Sequence, residues 1–128
     1  MNLLGSVTQA VGFNMMVEKQ IEFTHCIGKL IDYAAEKGYG LTFGDAWDQN
    51  KNGGHMIHSV HYIRLAVDFN LFLKDEQTGD WTYIANGKDP AWLTLGMFWE
   101  NISDKARWGG RFRQGDSNHF SFEHEGYA

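Results

Sequence analysis

The residues of this sequence that could do chemistry are histidines and aspartates between residues 55 and 119. Four of its six histidines, His55, His58, His61 and His119, stand beside expected loops or strand ends, where side chains can converge. Asp68 lies among apolar residues, where a carboxylate is costly to bury unless it is paired or metal-bound. Imidazoles and carboxylates are ligands of transition-metal sites, so these residues are candidate ligands.

The spacing of His61 and Asp68 leaves open how they would reach one ion. Seven residues of straight strand would separate their α-carbons by roughly 23 Å. Seven residues of helix would keep them on one face but about 10.5 Å apart, at the limit of reach. If the pair lies on or beside a strand, the chain between the two residues must therefore turn or bulge.

A second pair, Asp116 and His119, is separated by three positions and follows Gly115. In an extended strand the two side chains would face opposite ways. In a turn both can point into one cavity, the histidine toward a metal and the aspartate toward a water molecule. His55 and His58 remain alternative ligands, although loop histidines are more often simply exposed.

The apolar pattern predicts the elements that hold these side chains. Helical spacing of apolar residues predicts an amphipathic helix over residues 16–37, ended by Gly38 and Gly40. The pair Asp89 and Pro90 is typical of the start of a second, shorter helix. Alternating or β-type composition predicts strands over residues 39–43, 65–72, 81–84 and 119–122, with a turn over 75–80 and polar loop over 48–54.

This order of elements predicts an α+β domain in which a small antiparallel sheet has flanking helices. The 128 residues, of which 43% are apolar and 15% aromatic, suffice for one domain over residues 1–128, with residues 1–13 as an N-terminal arm. Cys26 has no second cysteine with which to form an intramolecular disulfide, and we expect it to be a small buried hydrophobe.

The charge of the chain excludes some classes of protein. A net charge of -5 argues against a protein that coats nucleic acid, and an acidic surface repels anionic membranes. Residues 1–13 lack the charged start and long apolar core of a signal peptide, and no apolar run is long enough to span a bilayer. We therefore expect synthesis in the cytoplasm without an export signal and without stable membrane association.

Two segments resemble the motifs of one enzyme family. The run Ser59-Val-His61-Tyr-Ile-Arg-Leu-Ala66-Val-Asp68 is similar to the Ser-x-His-x-x-x-x-Ala-x-Asp signature of LAS-type metallopeptidases, and Asp116-x-x-His119-Phe120 is similar to their second motif. This family comprises zinc D-Ala-D-Ala carboxypeptidases and phage L-alanyl-D-glutamate endopeptidases. Residues 41–47, 64–72 and 108–112 also resemble phage members, in the same order along the chain.

The resemblance implies a hedgehog/DD-peptidase-like fold and one zinc ion. His61, Asp68 and His119 would be its protein ligands, with the fourth position left to water. Asp116 would be the general base that takes a proton from that water and returns it to the leaving amine.

The resemblance also implies residues that support the site or bind substrate. Ser59 would support the ligand-bearing loop, and Trp108, Gly109 and Gly110 would help to shape the substrate cleft. Many relatives carry a substrate-binding arginine where this chain has Asp48. Three arginines are candidates to replace it: Arg64, Arg111 and Arg113.

The function implied is that of a zinc-dependent peptidoglycan peptidase, expected to be an L-Ala-D-Glu endopeptidase of the phage endolysin type. Its partner would be the bacterial peptidoglycan peptide, its state a monomer, and its release to the wall the task of a holin. Two alternatives stay open. One is a D-Ala-D-Ala carboxypeptidase or dipeptidase with the same zinc site, and the other is a catalytically inactive, zinc-bearing wall-binding module, which would not need Asp116.

Overall fold

The computed structural model describes residues 3–44 and 60–128. Along this part of the chain two α-helices alternate with short strands, as an α+β fold requires. The elements are α1 (Leu3–Glu36), β1 (Tyr39–Phe43), β2 (Ala66–Lys74), β3 (Trp81–Tyr83), α2 (Pro90–Ile102), β4 (Ala106–Trp108) and β5 (His119–Phe122), with 3₁₀ turns at Val60–Ile63 and Gly109–Arg111.

Strand β2 is the centre of the antiparallel sheet that the five described strands form. Along one edge it pairs with β1, from Tyr39 opposite Leu73 to Phe43 opposite Phe69. Along the other edge, the start of β2 pairs with β5 and its end pairs with β3. Strand β4 extends the sheet beyond β5. The predicted fold class, an α+β domain with a small antiparallel sheet, is confirmed.

Helix α1 ends where the sequence predicts but begins much earlier. Gly38, at φ 77°, carries the chain from the helix into β1. The helix starts at Leu3, so most of the segment predicted as an N-terminal arm, residues 1–13, belongs to it. That segment contains no proline, so nothing in the backbone prevents helical hydrogen bonding there. None of the described helices combines the length and apolar character needed to cross a bilayer.

The second helix and the turn between β2 and β3 begin at the residues that the sequence predicted. The Asp89 carboxylate accepts a hydrogen bond from the Ala91 amide at 2.9 Å, and Pro90 opens the first turn of α2. In the turn from β2 to β3, the carboxylate of Asp75 accepts hydrogen bonds from the two following amides of Gln77 and Thr78. Strand β4 was not predicted.

Both helices pack on one face of the sheet, here called the inner face. Trp99 of α2 is fully buried there, and its ring contacts Phe23, Phe120 and Phe122 at centroid distances of 5.8, 6.1 and 5.8 Å. Its Nε1 donates to the carbonyl of Arg107 in β4 and to the carbonyl of Ser121 in β5, so the indole links the two strands. Cys26 of α1 is buried in the same core, as predicted.

The alternation of β2 separates this core from a second face. Val67, Phe69 and Leu71 lie in the core, so the even-numbered residues of the strand point the opposite way. We call this side, which carries Asp68, Asn70, Phe72 and Lys74, the outer face. Any side chain that meets Asp68 must therefore reach the outer face.

We predict that Gly96→Ala destabilises the fold through Trp108. A Cβ at position 96 would lie 2.1 Å from the indole Cδ2 of Trp108, whose side chain is buried and cannot swing away. We expect the free energy of unfolding to fall by about 1–3 kcal/mol, as for other overpacked cores. Chemical denaturation monitored by circular dichroism measures the change.

The matched control is Gly28→Ala in α1, where no atom lies within 4 Å of the added Cβ. Replacing glycine by alanine at an open helical position raises the free energy of unfolding by roughly 0.5–1 kcal/mol. Equal effects of the two substitutions would contradict the proposed contact between α2 and Trp108.

Candidate metal centre

Strand pairing brings Asp68 and His119 together. The two residues lie directly opposite each other in the antiparallel ladder of β2 and β5. Opposite residues share one face of a sheet, so both side chains lie on the outer face. The His119 Nδ1 is 3.2 Å from the Asp68 Oδ1. On the other side, the Asp68 carbonyl accepts a hydrogen bond from the Gly44 amide at 2.7 Å, which holds the strand at this position.

His61 reaches this pair from the 3₁₀ turn that precedes β2. The turn ends at Arg64, at φ 58°, and the Leu65 amide donates to the Val60 carbonyl at 3.0 Å. The chain therefore reverses before the strand begins, which confirms the predicted turn between His61 and Asp68. The His61 Nε2 is 3.3 Å from the His119 Nδ1 and 3.4 Å from the Asp68 Oδ1.

The three ligand atoms form a nearly equilateral triangle and lie close enough together to bind one metal ion. His61 is 1% exposed and His119 is 5% exposed, so both imidazoles are shielded from water. Buried nitrogen and carboxylate oxygen donors are those that transition metals prefer in proteins. The structure thus brings together all three ligands that the sequence predicted.

A backbone carbonyl fixes the orientation of His119. Its Nε2 lies 2.8 Å from the carbonyl oxygen of Ala128, and because a carbonyl only accepts, the nitrogen must donate. In the neutral ring Nδ1 then carries a lone pair, which points at the Asp68 carboxylate. Two lone pairs this close repel each other unless a positive charge, such as a proton or a metal ion, lies with them. The arrangement of the ring therefore fits a cation-binding site.

Asp68 is ionised over the whole pH range in which a protein metal site binds its ion. Burial raises the pKa of its carboxyl, but the contacts of the carboxylate with the His119 and His61 rings outweigh burial and lower the pKa to about 2. The carboxylate therefore carries a full negative charge at neutral pH. Because the carboxylate is partly shielded from water, this charge attracts a divalent cation strongly.

Asp116 stands at the edge of the same site. The His119 amide donates to the Asp116 carbonyl at 3.0 Å, so the two residues belong to a turn, the conformation in which both can face one cavity. The Asp116 Oδ2 is 3.9 Å from the His119 Nδ1, and about half of its side chain is exposed. Asp116 is thus close to the candidate ligands and in contact with solvent, as a group that handles protons must be.

The turn that holds Asp116 packs directly on Gly109. A Cβ at position 109 would lie 2.1 Å from the Asp116 carbonyl oxygen and 2.8 Å from the His119 Cβ, so glycine is required there. The Asp116 amide donates to the Gly109 carbonyl at 2.8 Å. Trp108 supports the same turn from below, since its Nε1 donates to the Ser117 carbonyl at 2.7 Å. Trp108 is buried, which favours this supporting role over broad contact with a substrate.

The arginines differ in what surrounds them. The Arg111 guanidinium forms an ion pair with the Glu100 carboxylate at 3.1 Å and lies over the Trp108 ring, 5.5 Å from its centroid. Arg64 is exposed at the turn after His61, and Arg113 is exposed after the second 3₁₀ turn. Their roles with a substrate stay predictions. The other predicted positions lie outside the described residues: His55, His58, Ser59 and Asp48.

One groove among the described residues lies away from the candidate metal centre. A groove of about 570 Å³ lies between α1 and α2, lined by Tyr33, Thr94, Met97, Phe98, Asn101 and Ile102. It contains no carboxylate, no imidazole and none of the predicted site residues. The Ala128 carbonyl, by contrast, is part of the site and was not predicted, because a backbone oxygen leaves no signal in the residue types of a sequence.

Comparison with known proteins adds no relative to these findings. No protein-family model matches the chain, and no curated protein matches it. The geometry of the site therefore has to be interpreted from its own residues.

We predict that deleting residues 125–128 weakens metal binding. The deletion removes the Ala128 carbonyl and so frees the His119 ring. Loss of such a partner of a metal ligand lowers affinity by about 10–100-fold. Competition with a chromophoric chelator for Zn²⁺ measures the affinity, and a long-range ¹H–¹⁵N spectrum of the intact chain should show His119 protonated at Nε2.

The control variant is Glu22→Gln, which removes the 2.7 Å ion pair between α1 and Lys105 but leaves residues 123–128 intact. Its affinity should equal that of the unaltered chain. A deletion variant that binds the metal as tightly as the intact chain would show that the carbonyl has no part in the site.

Proposed function

We propose that this protein is a zinc-dependent peptidase that hydrolyses the peptide stems of bacterial peptidoglycan. The observation that carries the proposal is the triangle of His61, Asp68 and His119 with a separate carboxylate, Asp116, at its edge. Structural zinc sites use four protein ligands, whereas catalytic sites use three and leave a position open. Among the described residues, three ligands stand beside a partly exposed carboxylate, and this is the composition of a catalytic site.

The size of the triangle supports zinc in four-coordinate geometry. With metal–ligand distances of about 2.0–2.1 Å, tetrahedral angles separate two ligand atoms by about 3.3–3.4 Å. Octahedral angles at a similar metal–ligand distance would separate them by about 3.0 Å. The observed separations of 3.2, 3.3 and 3.4 Å are closer to the tetrahedral value. A four-coordinate zinc ion would therefore fit the two-histidine, one-carboxylate ligands.

Each residue then has a role in amide hydrolysis. His61, Asp68 and His119 would hold the zinc ion, which would supply Lewis acidity to lower the pKa of water and polarise a peptide carbonyl. Asp116 Oδ2 accepts the proton of the attacking water and delivers it to the nitrogen of the leaving amine. Asp116 is suited to this exchange because its carboxylate is half exposed and stands outside the ligand triangle.

The assignment to peptidoglycan rests on the resemblance of the two motifs to LAS-type metallopeptidases. Within that class, a carboxypeptidase needs a cation to hold the terminal carboxylate of its substrate. The Arg111 guanidinium already faces Glu100 through its Nε and Nη2 atoms. Arg111 is therefore engaged within the protein, while the phage members that the two motifs resemble cut an internal bond. We propose the L-Ala-D-Glu bond, with monomeric protein acting on the wall after release from the cell that made it.

We predict that the protein binds one zinc ion and that Asp68→Asn abolishes this binding. At a zinc concentration 100 times the dissociation constant, binding to the folded state alone adds about 2.7 kcal/mol to the free energy of unfolding. The variant should gain nothing under the same conditions, because its neutral amide replaces a charged ligand. Elemental analysis and thermal unfolding with and without chelator measure both effects.

The coordination geometry has its own test. Cobalt(II) in the same site should give the intense visible absorption of four-coordinate cobalt. Weak absorption typical of six-coordinate cobalt would contradict the tetrahedral assignment, and absence of bound zinc after reconstitution would refute the metal site.

We predict that Asp116→Asn retains zinc and fold but lowers the rate of wall hydrolysis by about 10²–10⁴-fold, the usual contribution of a general base. Digestion of purified peptidoglycan followed by mass spectrometry measures the rate and identifies the bond. New termini at L-Ala and D-Glu are expected, whereas release of D-Ala would assign the carboxypeptidase alternative.

The matched control is Asp32→Asn, which neutralises an exposed carboxylate of α1 and should leave hydrolysis unchanged. Wall hydrolysis by Asp116→Asn at the unaltered rate would remove Asp116 from the mechanism. A zinc-loaded, unaltered protein that binds peptidoglycan without cleaving it would support the inactive wall-binding module instead.

A further inference from the structure

The outer face of the sheet carries three aromatic side chains beside the metal centre. Phe72 follows Asp68 on the same face of β2, four residues further along the strand, and its Cα partner in β3 is Tyr83. Trp81 is two residues before Tyr83 and therefore points to the same face. We call Phe72, Trp81 and Tyr83 the aromatic platform.

Two rings of the platform are exposed to solvent over about half of their surface. Trp81 is 51% exposed and Tyr83 is 55% exposed, whereas Trp99, Phe120 and Phe122 on the inner face are buried. Adjacent apolar rings that remain in water on a monomer commonly mark a binding surface. No described helix covers this face, since α1 and α2 both pack on the inner face.

Structural packing explains only part of this arrangement. The Trp81 ring lies across the sheet on Gly40 of β1, where a Cβ would meet the ring at 3.0 Å, and the Phe72 and Tyr83 rings are 5.5 Å apart. Such contacts stabilise strand pairs and shield a glycine in a strand. They do not require Trp81 and Tyr83 to leave half of their surface in water.

Polar groups beside the rings indicate which class of ligand the platform can bind. The Lys74 Nζ lies 5.5 Å from the Trp81 centroid, and the Asn70 amide donates to the Thr42 hydroxyl at 3.2 Å between the platform and the metal centre. Flat rings next to amide, hydroxyl and ammonium groups match the faces of pyranose sugars, which expose C–H bonds on one surface and hydroxyl or acetamido groups at their edges. A purely apolar partner would not use these polar groups.

The position of the platform fits the same ligand. Phe72 lies about 13 Å from Asp68 along the strand, at about 3.3 Å per residue. With the L-Ala-D-Glu bond at the metal centre only one residue separates that bond from the sugar, so successive sugar rings of the glycan strand would span this distance. Peptidoglycan joins short peptides to sugar rings, so a stem peptide at the metal centre could place its glycan strand on the aromatic platform.

We infer that the aromatic platform binds the glycan strand of peptidoglycan, so that the enzyme recognises sugar-linked stems rather than free peptides. This inference rests on the proposed function for the nature of the polymer. Trp81 and Tyr83 provide the stacking surfaces, and Asn70 and Lys74 provide hydrogen bonds to the sugar edges.

The test uses the tetramer of N-acetylglucosamine, which has a sugar backbone of the right chemistry and no stem peptide. Titrated into the zinc-loaded full chain, it should shift the Trp81 indole resonance in ¹H–¹⁵N spectra. Trp81→Ala and Tyr83→Ala should weaken binding at least about tenfold, equivalent to about 1.4 kcal/mol. Trp81→Phe keeps an aromatic ring on Gly40 and should retain part of the affinity.

The control is Phe43→Ala, since Phe43 is 64% exposed but is the Cα partner of Phe69 and so belongs to the inner-face side of β1. This variant should bind the tetramer as the unaltered chain does. Failure of the tetramer to shift Trp81, or equal binding by all variants, would overturn the inference. Because the tetramer contains no cleavable stem, this outcome does not depend on peptidase activity.

A second measurement separates the platform from the peptide site. Trp81→Ala should hydrolyse intact peptidoglycan more slowly than the unaltered chain but a sugar-free stem peptide at the same rate. Equal loss on both substrates would assign the platform to the peptide and overturn the sugar-binding role. Absence of hydrolysis of either substrate by the unaltered chain would refute the proposed function and leave the tetramer result standing.

Discussion

The antiparallel register of β2 against β5 is the constraint on which the rest of the structure depends. Asp68 opposite His119 and Val67 opposite Phe120 are consecutive pairs of one ladder, and they point to opposite faces. A slip of one residue would turn Phe120 toward the outer face and His119 into the core, with a large cost in buried apolar area. The hydrophobic core therefore fixes the geometry of the ligands, although the ligands contribute little to the core.

Two tryptophans connect this register to the second helix. The Trp99 indole donates to carbonyls of β4 and β5 from the inner face, and the Trp108 indole donates to the Ser117 carbonyl in the turn before β5. Gly96 leaves the space in which the Trp108 ring packs on α2. Gly109 leaves the space in which this turn packs on the second 3₁₀ turn. The position of Asp116 is thus set by close packing of backbone on backbone, which tolerates few alternatives.

The close approach of the candidate ligands lowers the stability of the metal-free fold. Two buried imidazoles and a half-buried carboxylate bring their ligand atoms within 3.4 Å of one another, and the Ala128 carbonyl directs a lone pair of His119 toward Asp68. Desolvated donors in this arrangement cost free energy unless a cation neutralises them. Binding of a metal would recover that cost, so the same feature that weakens the metal-free fold provides affinity for the ion.

Local patterns in the sequence determined much of the fold and identified the candidate ligands. Helical spacing, the pair Asp89 and Pro90, and the turn at Asp75 act between near neighbours, so their consequences could be predicted from the chain alone. The residue types of His61, Asp68 and His119, with the resemblance of their motifs, identified the ligand set. The start of α1 and the short strand β4 were missed, because neither leaves a periodic signal of its own.

Tertiary structure alone decided how these residues meet. The reversal at Arg64, the pairing of Asp68 with His119 and the contact of His119 with Ala128 are long-range or backbone effects, and the types of the residues involved do not encode them. The same applies to the outer face, where Phe72, Trp81 and Tyr83 read as ordinary strand residues until the burial of the opposite face shows which way they point. A sequence specifies which side chains are available, and only the packed sheet decides which of them share a face, because register is a property of two strands together.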